Sequence, residues 1–119
     1  MQGGFCFSAK LRLKSPAEYK YVFADPIKSS DQYFTMLAAK NSFGHPRLGL
    51  AIAKKNIKKA VYRNTIKRAV RESFRVQKDL GNVDIVVLAK KDAQEVSLAV
   101  LRKSLDRHWL RLVTRCAGC

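Results

Sequence analysis

The chain has 119 residues and carries 24 Lys and Arg against 9 Asp and Glu, a formal net charge of +15. Its length suits one domain spanning 1–119 with its own core, and 47% hydrophobic content rules out a disordered basic tail. So large a cationic excess points to nucleic acid or an anionic membrane surface, but no apolar run nears the roughly 18 residues that span a bilayer.

Residues 1–14 read as an irregular basic segment, with Lys10, Arg12 and Lys14 as its cations and Phe5 and Phe7 as anchors. This start has no apolar stretch of the secretory kind, which places the chain in the cytoplasm. Ser15-Pro16-Ala17-Glu18 predicts a helix start, with Ser15 as N-cap, Pro16 at the first helical position and Glu18 closing a capping box. The helix runs to about Ala24, where Asp25-Pro26 ends it. Tyr19, Val22 and Phe23 stand at i, i+3 and i+4 on one face. Val22 reads as core, whereas Tyr19 and Phe23 serve either as core or as a stacking surface for unpaired bases.

Gln32–Lys40 predicts a strand with Phe34, Met36 and Ala38 on one face, and Arg47–Ala53 a second. The loop Asn41–Pro46 between them is short enough to predict antiparallel neighbours. Gly49, inside the second strand, marks a close backbone approach or a bulge.

Lys54–Arg75 holds nine Lys or Arg against one acid, Glu72, and no Gly or Pro, so it is predicted to run as one helix. At about 100° per residue, Tyr62, Ile66, Ala69, Val70 and Ser73 gather on one arc with Phe74 at its edge, and the cations spread over the rest. Lys59, Arg63, Lys67 and Arg71 follow one another at i,i+4 with no acid between them. Such neighbours repel by a few tenths of a kcal/mol each. A solvated surface mixes its signs, so an array that tolerates this repulsion implies a polyanion that relieves it.

Asp79–Asn82 carries the stop signal, with Gly81 as the residue just past the helix. Val83–Ala89 is a strand whose continuous apolar run, Ile85–Leu88, predicts burial on both faces at the sheet centre. Strand, basic helix and strand together call for a parallel pair. From about Ser97 to Arg115 a second amphipathic helix repeats Leu98, Leu101, Leu105, Trp109, Leu112 and Val113 and covers the sheet. His108 has no carboxylate or second His near it in sequence and carries little catalytic weight. Cys116 and Cys119 form a CxxC without a second ligand pair, so 116–119 reads as a frayed tail. Three cysteines, an odd number, do not make a disulfide framework.

No phosphate-binding glycine loop, HExxH, GxSxG or carboxylate pair in a motif occurs. Nine acids among so many cations make a poor protein-only metal nuclease, so the residues describe a binder. The order of signals goes beyond composition. The strand RLGLAIAKK leading into AVYRNTIKRAVRESFR, with Arg63-Asn64-Thr65-Ile66-Lys67-Arg68 as an Arg-Asn-x-x-(Lys/Arg)-Arg run, closely resembles the protein subunit of bacterial ribonuclease P. The resemblance continues through Arg12-Leu13, the Tyr19/Phe23 helix, SFGHPR, DIVVLAKK and the helix with Trp109.

That resemblance implies an α+β, or α/β sandwich, fold of order αβββαβα, with a central mixed sheet and a left-handed crossover around the basic helix, against the usual rule of hand. It implies no catalytic residue on the protein. The partner RNA would perform Mg²⁺-dependent hydrolysis that removes the 5′ leader from precursor tRNA, holding the Mg²⁺ itself. Lys54, Lys55, Lys59, Arg63, Asn64, Lys67, Arg68 and Arg71 would face the catalytic RNA, and Tyr19, Phe23, Phe34 and Met36 the single-stranded leader. Tyr19 and Met36 depart from the family's usual Phe and aromatic residue, and the CAGC end matches no family feature. No membrane and no obligate protein partner is implied. A ribosome-type structural RNA binder and a groove-reading DNA module are the alternatives; the wide basic arc and the missing companion helix weaken the latter.

Overall fold

The structure, a computed structural model, describes residues 11–117. The elements in order are α1 (Pro16–Ala24), β1 (Ile27–Ser30), β2 (Phe34–Lys40), β3 (Arg47–Ala51), α2 (Ala60–Arg75), β4 (Val83–Ala89), a 3₁₀ turn (Lys91–Glu95) and α3 (Leu98–Ala117). Four strands form one mixed sheet in the order β1-β2-β4-β3. This is the αβββαβα arrangement.

The capping box at α1 is complete: Ser15 Oγ accepts from the Glu18 amide at 3.2 Å, and Glu18 Oε1 accepts from the Ser15 amide at 3.0 Å. Strand β1, IKSS, has a single apolar residue and no alternation that a sequence pattern can show. It is an edge strand, antiparallel to β2, with the exposed Lys28 on its outer run.

β2 and β3 are not neighbours, contrary to the expectation from their short connection. β4 lies between them, antiparallel to β2 and parallel to β3. An apolar strand buried on both faces needs a hydrogen-bonded partner on each edge, and inserting β4 supplies both. The parallel pair across the basic helix is as expected. Beyond β3, Arg12 adds a parallel bridge to Leu48, and the Leu13 amide donates to the Leu48 carbonyl at 2.9 Å. The segment before α1 is therefore tied to the sheet where the sequence reads as irregular. Phe5, Phe7 and Lys10 lie outside the described residues.

Two cores lie on the two faces of the sheet. Phe34, Met36, Ala38, Ile85, Val87 and Ala89 face α2 and α3, meeting Ile66, Val70, Phe74, Leu101, Leu105, Trp109 and Leu112. Val86 with Leu37, Ala39, Ala51 and Leu88 faces the other way and meets Leu13, Tyr19 and Val22 beneath α1. Gly49 lies on this second face because a Cβ there would stand 2.8 Å from Tyr19 Cε2 and 2.9 Å from Leu13 Cδ1. The close approach expected from the sequence is the packing of Tyr19 on β3.

α2 is shorter than its charge pattern suggests. It begins at Ala60 with Lys59 as N-cap and ends at Arg75, well before Gly81. Ile57 sets the start: it is fully buried, and the turn that carries it inward, with the Ile57 amide donating to the Ala53 carbonyl, breaks the helical path. Tyr62 lies outside the core at 43% exposure, while Phe74 is buried. α3 continues through Ala117, so the last turn is helix where a frayed tail is expected; Gly118 and Cys119 lie outside the described residues.

Candidate nucleic-acid interface

The first surface is α2 with the turn before it. Asn56 Nδ2 donates to the Ala89 carbonyl and Gln94 Nε2 to the Asn56 carbonyl, both at 3.2 Å, so the Lys54–Lys59 turn is fastened to the sheet end with Lys54, Lys55, Lys58 and Lys59 exposed. Arg63 Nη1 donates to the carbonyls of Ile57 at 2.9 Å and Lys58 at 2.8 Å. Its guanidinium thus braces the turn as well as adding charge, which the sequence reading did not foresee. At 100° per residue, Arg63, Asn64, Lys67, Arg68, Arg71 and Arg75 fall within an arc of about 140°. Asn64, Arg68 and Arg75 are exposed; Lys67 and Arg71 are half-buried.

The charges on this face are unmatched. Among the described residues, no carboxylate lies in ion-pair range of Lys54, Lys55, Lys59, Lys67, Arg68 or Arg71; the one acid of α2, Glu72, reaches Arg102 at 3.9 Å. No acid occupies the first turn of α2 either, so the positive end of its dipole adds to the field.

The second surface adjoins the first. Lys67 and Arg71 share a hollow of about 210 Å³ with Arg12 and Tyr19, which links the basic helix to the edge of α1. The Leu50 amide donates to Tyr19 Oη at 3.2 Å, holding the half-buried ring on the sheet. Phe23, one turn on, is 44% exposed and free to present its ring. Phe34 and Met36 do not join them. Both are fully buried in the α2/α3 core, where the Phe34 ring stands edge-on to His108 at 6.4 Å. Strand residues alternate faces, so the sheet face beneath α1 carries their neighbours Thr35 and Leu37, with Leu88 beside them, all half-buried.

Two polar clusters escaped the sequence reading. At the N-terminal end of α1, the Arg47 guanidinium is clamped by Asp84 through two hydrogen bonds of 2.8 Å and by Glu18 Oε2 at 2.8 Å, with Asn41 Nδ2 on Asp84 Oδ1 at 2.7 Å. Amides of Lys14 and Ser15, then Arg47, hold the Glu18 carboxyl at about 2. At the other side of the sheet, His108 shares a 2.7 Å hydrogen bond between Nδ1 and Ser29 Oγ, and its Nε2 stands 3.2 Å from Asp31 Oδ1 without hydrogen-bond alignment. A Ser, a His and an Asp meet here, but Ser29 and His108 are buried from any substrate, so they tie β1 to α3 and do no chemistry. Burial lowers the His108 pKa against the pull of Asp31; burial would raise Asp31, but Ser104, the Phe34 and Tyr33 amides and His108 together hold it at about 2.

Among the described residues, no three of His, Cys, Asp or Glu form a group that could hold a metal ion. No helix among them is long and apolar enough to cross a membrane. Fold and surfaces together define an α+β domain that sets an unpaired cationic helix beside an aromatic groove.

Comparison with known proteins gives the family. The model of the Ribonuclease P family matches residues 7–113. The chain is 53% identical to the ribonuclease P protein component of Methylococcus capsulatus over 97% of this chain and 91% of that one, and 53% identical to that of Aliivibrio fischeri over 89% and 92%. Among solved structures it matches the RNase P protein of Staphylococcus aureus with a TM-score of 0.78 at 31% identity, over 86% of this chain and 94% of that one. The Thermotoga maritima protein matches with a TM-score of 0.75 at 32% identity, over 84% and 96%. The chain belongs to the ribonuclease P protein family, and as the protein subunit of that ribonucleoprotein it acts with RNA in the 5′ processing of tRNA. Membership decides against the ribosome-type and DNA-reading alternatives.

Proposed function

We propose that the protein is a binding subunit and that hydrolysis belongs to its RNA partner, which also holds the Mg²⁺. The observation that carries this is the unmatched charge of α2 and the turn before it, where no carboxylate of the described residues lies in ion-pair range. Lys54, Lys55, Lys59, Asn64, Lys67, Arg68 and Arg71 contact the catalytic RNA, and Arg63 does so while bracing the turn. Each phosphate neutralised there releases counterions and relieves the repulsion along the helix.

The leader of precursor tRNA lies in the groove between α1 and the sheet, with Tyr19 and Phe23 as its stacking surface and Thr35, Leu37 and Leu88 as its floor. The hollow shared by Lys67, Arg71 and Tyr19 puts both surfaces within reach of one RNA assembly. We place this work in the cytoplasm, beside the precursor. The test is cleavage of precursor tRNA by the catalytic RNA at low Mg²⁺, with and without the protein. Rescue is expected; cleavage that stays unchanged on adding the protein would overturn the proposal.

A further inference from the structure

α1 has a second edge. Tyr21 lies about 200° around the helix from Tyr19 and so faces away from the Phe23 groove. It is 58% exposed, and its hydroxyl donates to the Lys40 carbonyl at 3.0 Å. Phe43, in the loop between β2 and β3, is 56% exposed, and its ring lies on the Arg47 guanidinium with Cζ 3.9 Å from the ring centre. Both rings line one groove of about 640 Å³, within the range of a small-ligand site.

Two features narrow the occupant. The rings are held from behind, Tyr21 by its hydroxyl and Phe43 by an arginine that is itself locked by Asp84 and Glu18, so little ordering remains to be done on binding. The charged and amide groups of the floor are already engaged, Asp84 and Glu18 by Arg47, and Asn41 by the His45 carbonyl, Asp84 and the Phe43 amide; the exposed Ser42 also lines it. What the groove offers is ring faces, with the exposed Lys40 among its lining residues. Two further hollows adjoin the groove at Lys40. One of about 510 Å³ shares Tyr21 and Lys40 with it and is also lined by Asp25, and another of about 360 Å³ shares Lys40 and Asn41 and is also lined by Asp79, so the three form a trough around Lys40. A trough with two aromatic rings along it and a lysine where its parts meet fits a strand of bases and phosphates better than a compact molecule.

We infer that this trough is a second single-stranded RNA site, in which an unpaired base stacks on Tyr21 and Phe43 and Lys40 meets an adjoining phosphate. Recognition there is by stacking, which tolerates sequence. The inference rests on the RNA-binding reading above but concerns the opposite edge of α1.

The test uses a short single-stranded RNA carrying 2-aminopurine, titrated at fixed salt into the full chain with Phe23→Ala, so that quenching reports binding outside the first groove. Adding Tyr21→Ala or Phe43→Leu should weaken the remaining binding by roughly 5- to 150-fold, the range for one stacked base. Tyr21→Phe, which keeps the ring, should bind like its parent, and the urea midpoints should not move because both rings are exposed. Binding abolished by Phe23→Ala alone, or unchanged by Tyr21→Ala and Phe43→Leu as an aromatic peptide occupant would leave it, overturns the inference. So does a loss in Tyr21→Phe equal to that in Tyr21→Ala, or a loss matched by a lowered urea midpoint. A wild-type chain that fails to bind the oligonucleotide overturns the RNA-binding reading itself.

Discussion

Arg47 and Arg68 carry the same side chain to opposite ends. Arg47 is 9% exposed and is held by two carboxylates, while Arg68 is exposed with no carboxylate in range. The first fixes how α1 sits on β3 and β4; the second leaves its charge for something outside the protein. A cation with its partners inside the chain is architecture, and one without them, in a row of others without them, is a binding surface. Arg63 falls between, since it spends hydrogen bonds on two backbone carbonyls and still belongs to the cationic arc.

The sharpest way to break this contrast is Arg47→Ala. It should cost about 3–5 kcal/mol of folding stability, because two carboxylates lose their buried partner, and a urea melt reads it; a small shift would mean the clamp is dispensable. Phe23→Ala comes next, with about 1–3 kcal/mol lost in precursor binding and none in mature tRNA binding. Its urea midpoint should hold, since a 44% exposed ring leaves no core cavity; an unchanged precursor-to-mature ratio would remove Phe23 from the groove. Arg63→Ala should lose about 1 kcal/mol in stability from its carbonyl contacts and also weaken RNA binding.

Arg68→Ala should leave stability within about 0.5 kcal/mol and flatten the slope of log K against log salt by roughly 0.7–0.9. A melt shifted without any change in that slope would make Arg68 structural. A further effect is in acid. His108 is kept neutral by burial, so its folded pKa lies below the ordinary 6.5 and the unfolded chain binds the proton first. Stability should therefore decline as pH drops below about 6.5, and His108→Asn should remove that limb. Glu18, at about 2 against 4.5, and Asp31, at about 2 against 3.8, stabilise the fold above their unfolded values and should give a second decline from about pH 4.5 toward 2.

Local chemistry was legible wherever neighbours in sequence are neighbours in space. The Ser15–Glu18 capping box, the close approach at Gly49, the two-face burial of β4 and the core stripe of α3 from Leu101 to Val113 all follow from spacing, whereas Leu98, read as the first residue of that stripe, is exposed. Misreadings came where a distant segment competes. Lys54–Lys59 has good helix formers, yet burying Ile57 turns it into a loop. Phe34 and Met36 were rightly put on one face of β2, but a strand's alternation does not say which of its two faces meets α1.

The sequence by itself determined α1, β2, β3, β4, α3 and most of α2, the charge, the Arg63–Arg68 run and hence the family, because these depend on residue identity and short-range periodicity. Only the tertiary structure decided that β4 separates β2 from β3, that Thr35 and Leu37 face α1 while Phe34 and Met36 face α2 and α3, and that Ser29, Asp31 and His108 meet between β1 and α3. Those are contacts between segments tens of residues apart, set by which faces bury the most apolar surface while every buried polar group finds a partner, and no local pattern contains that choice.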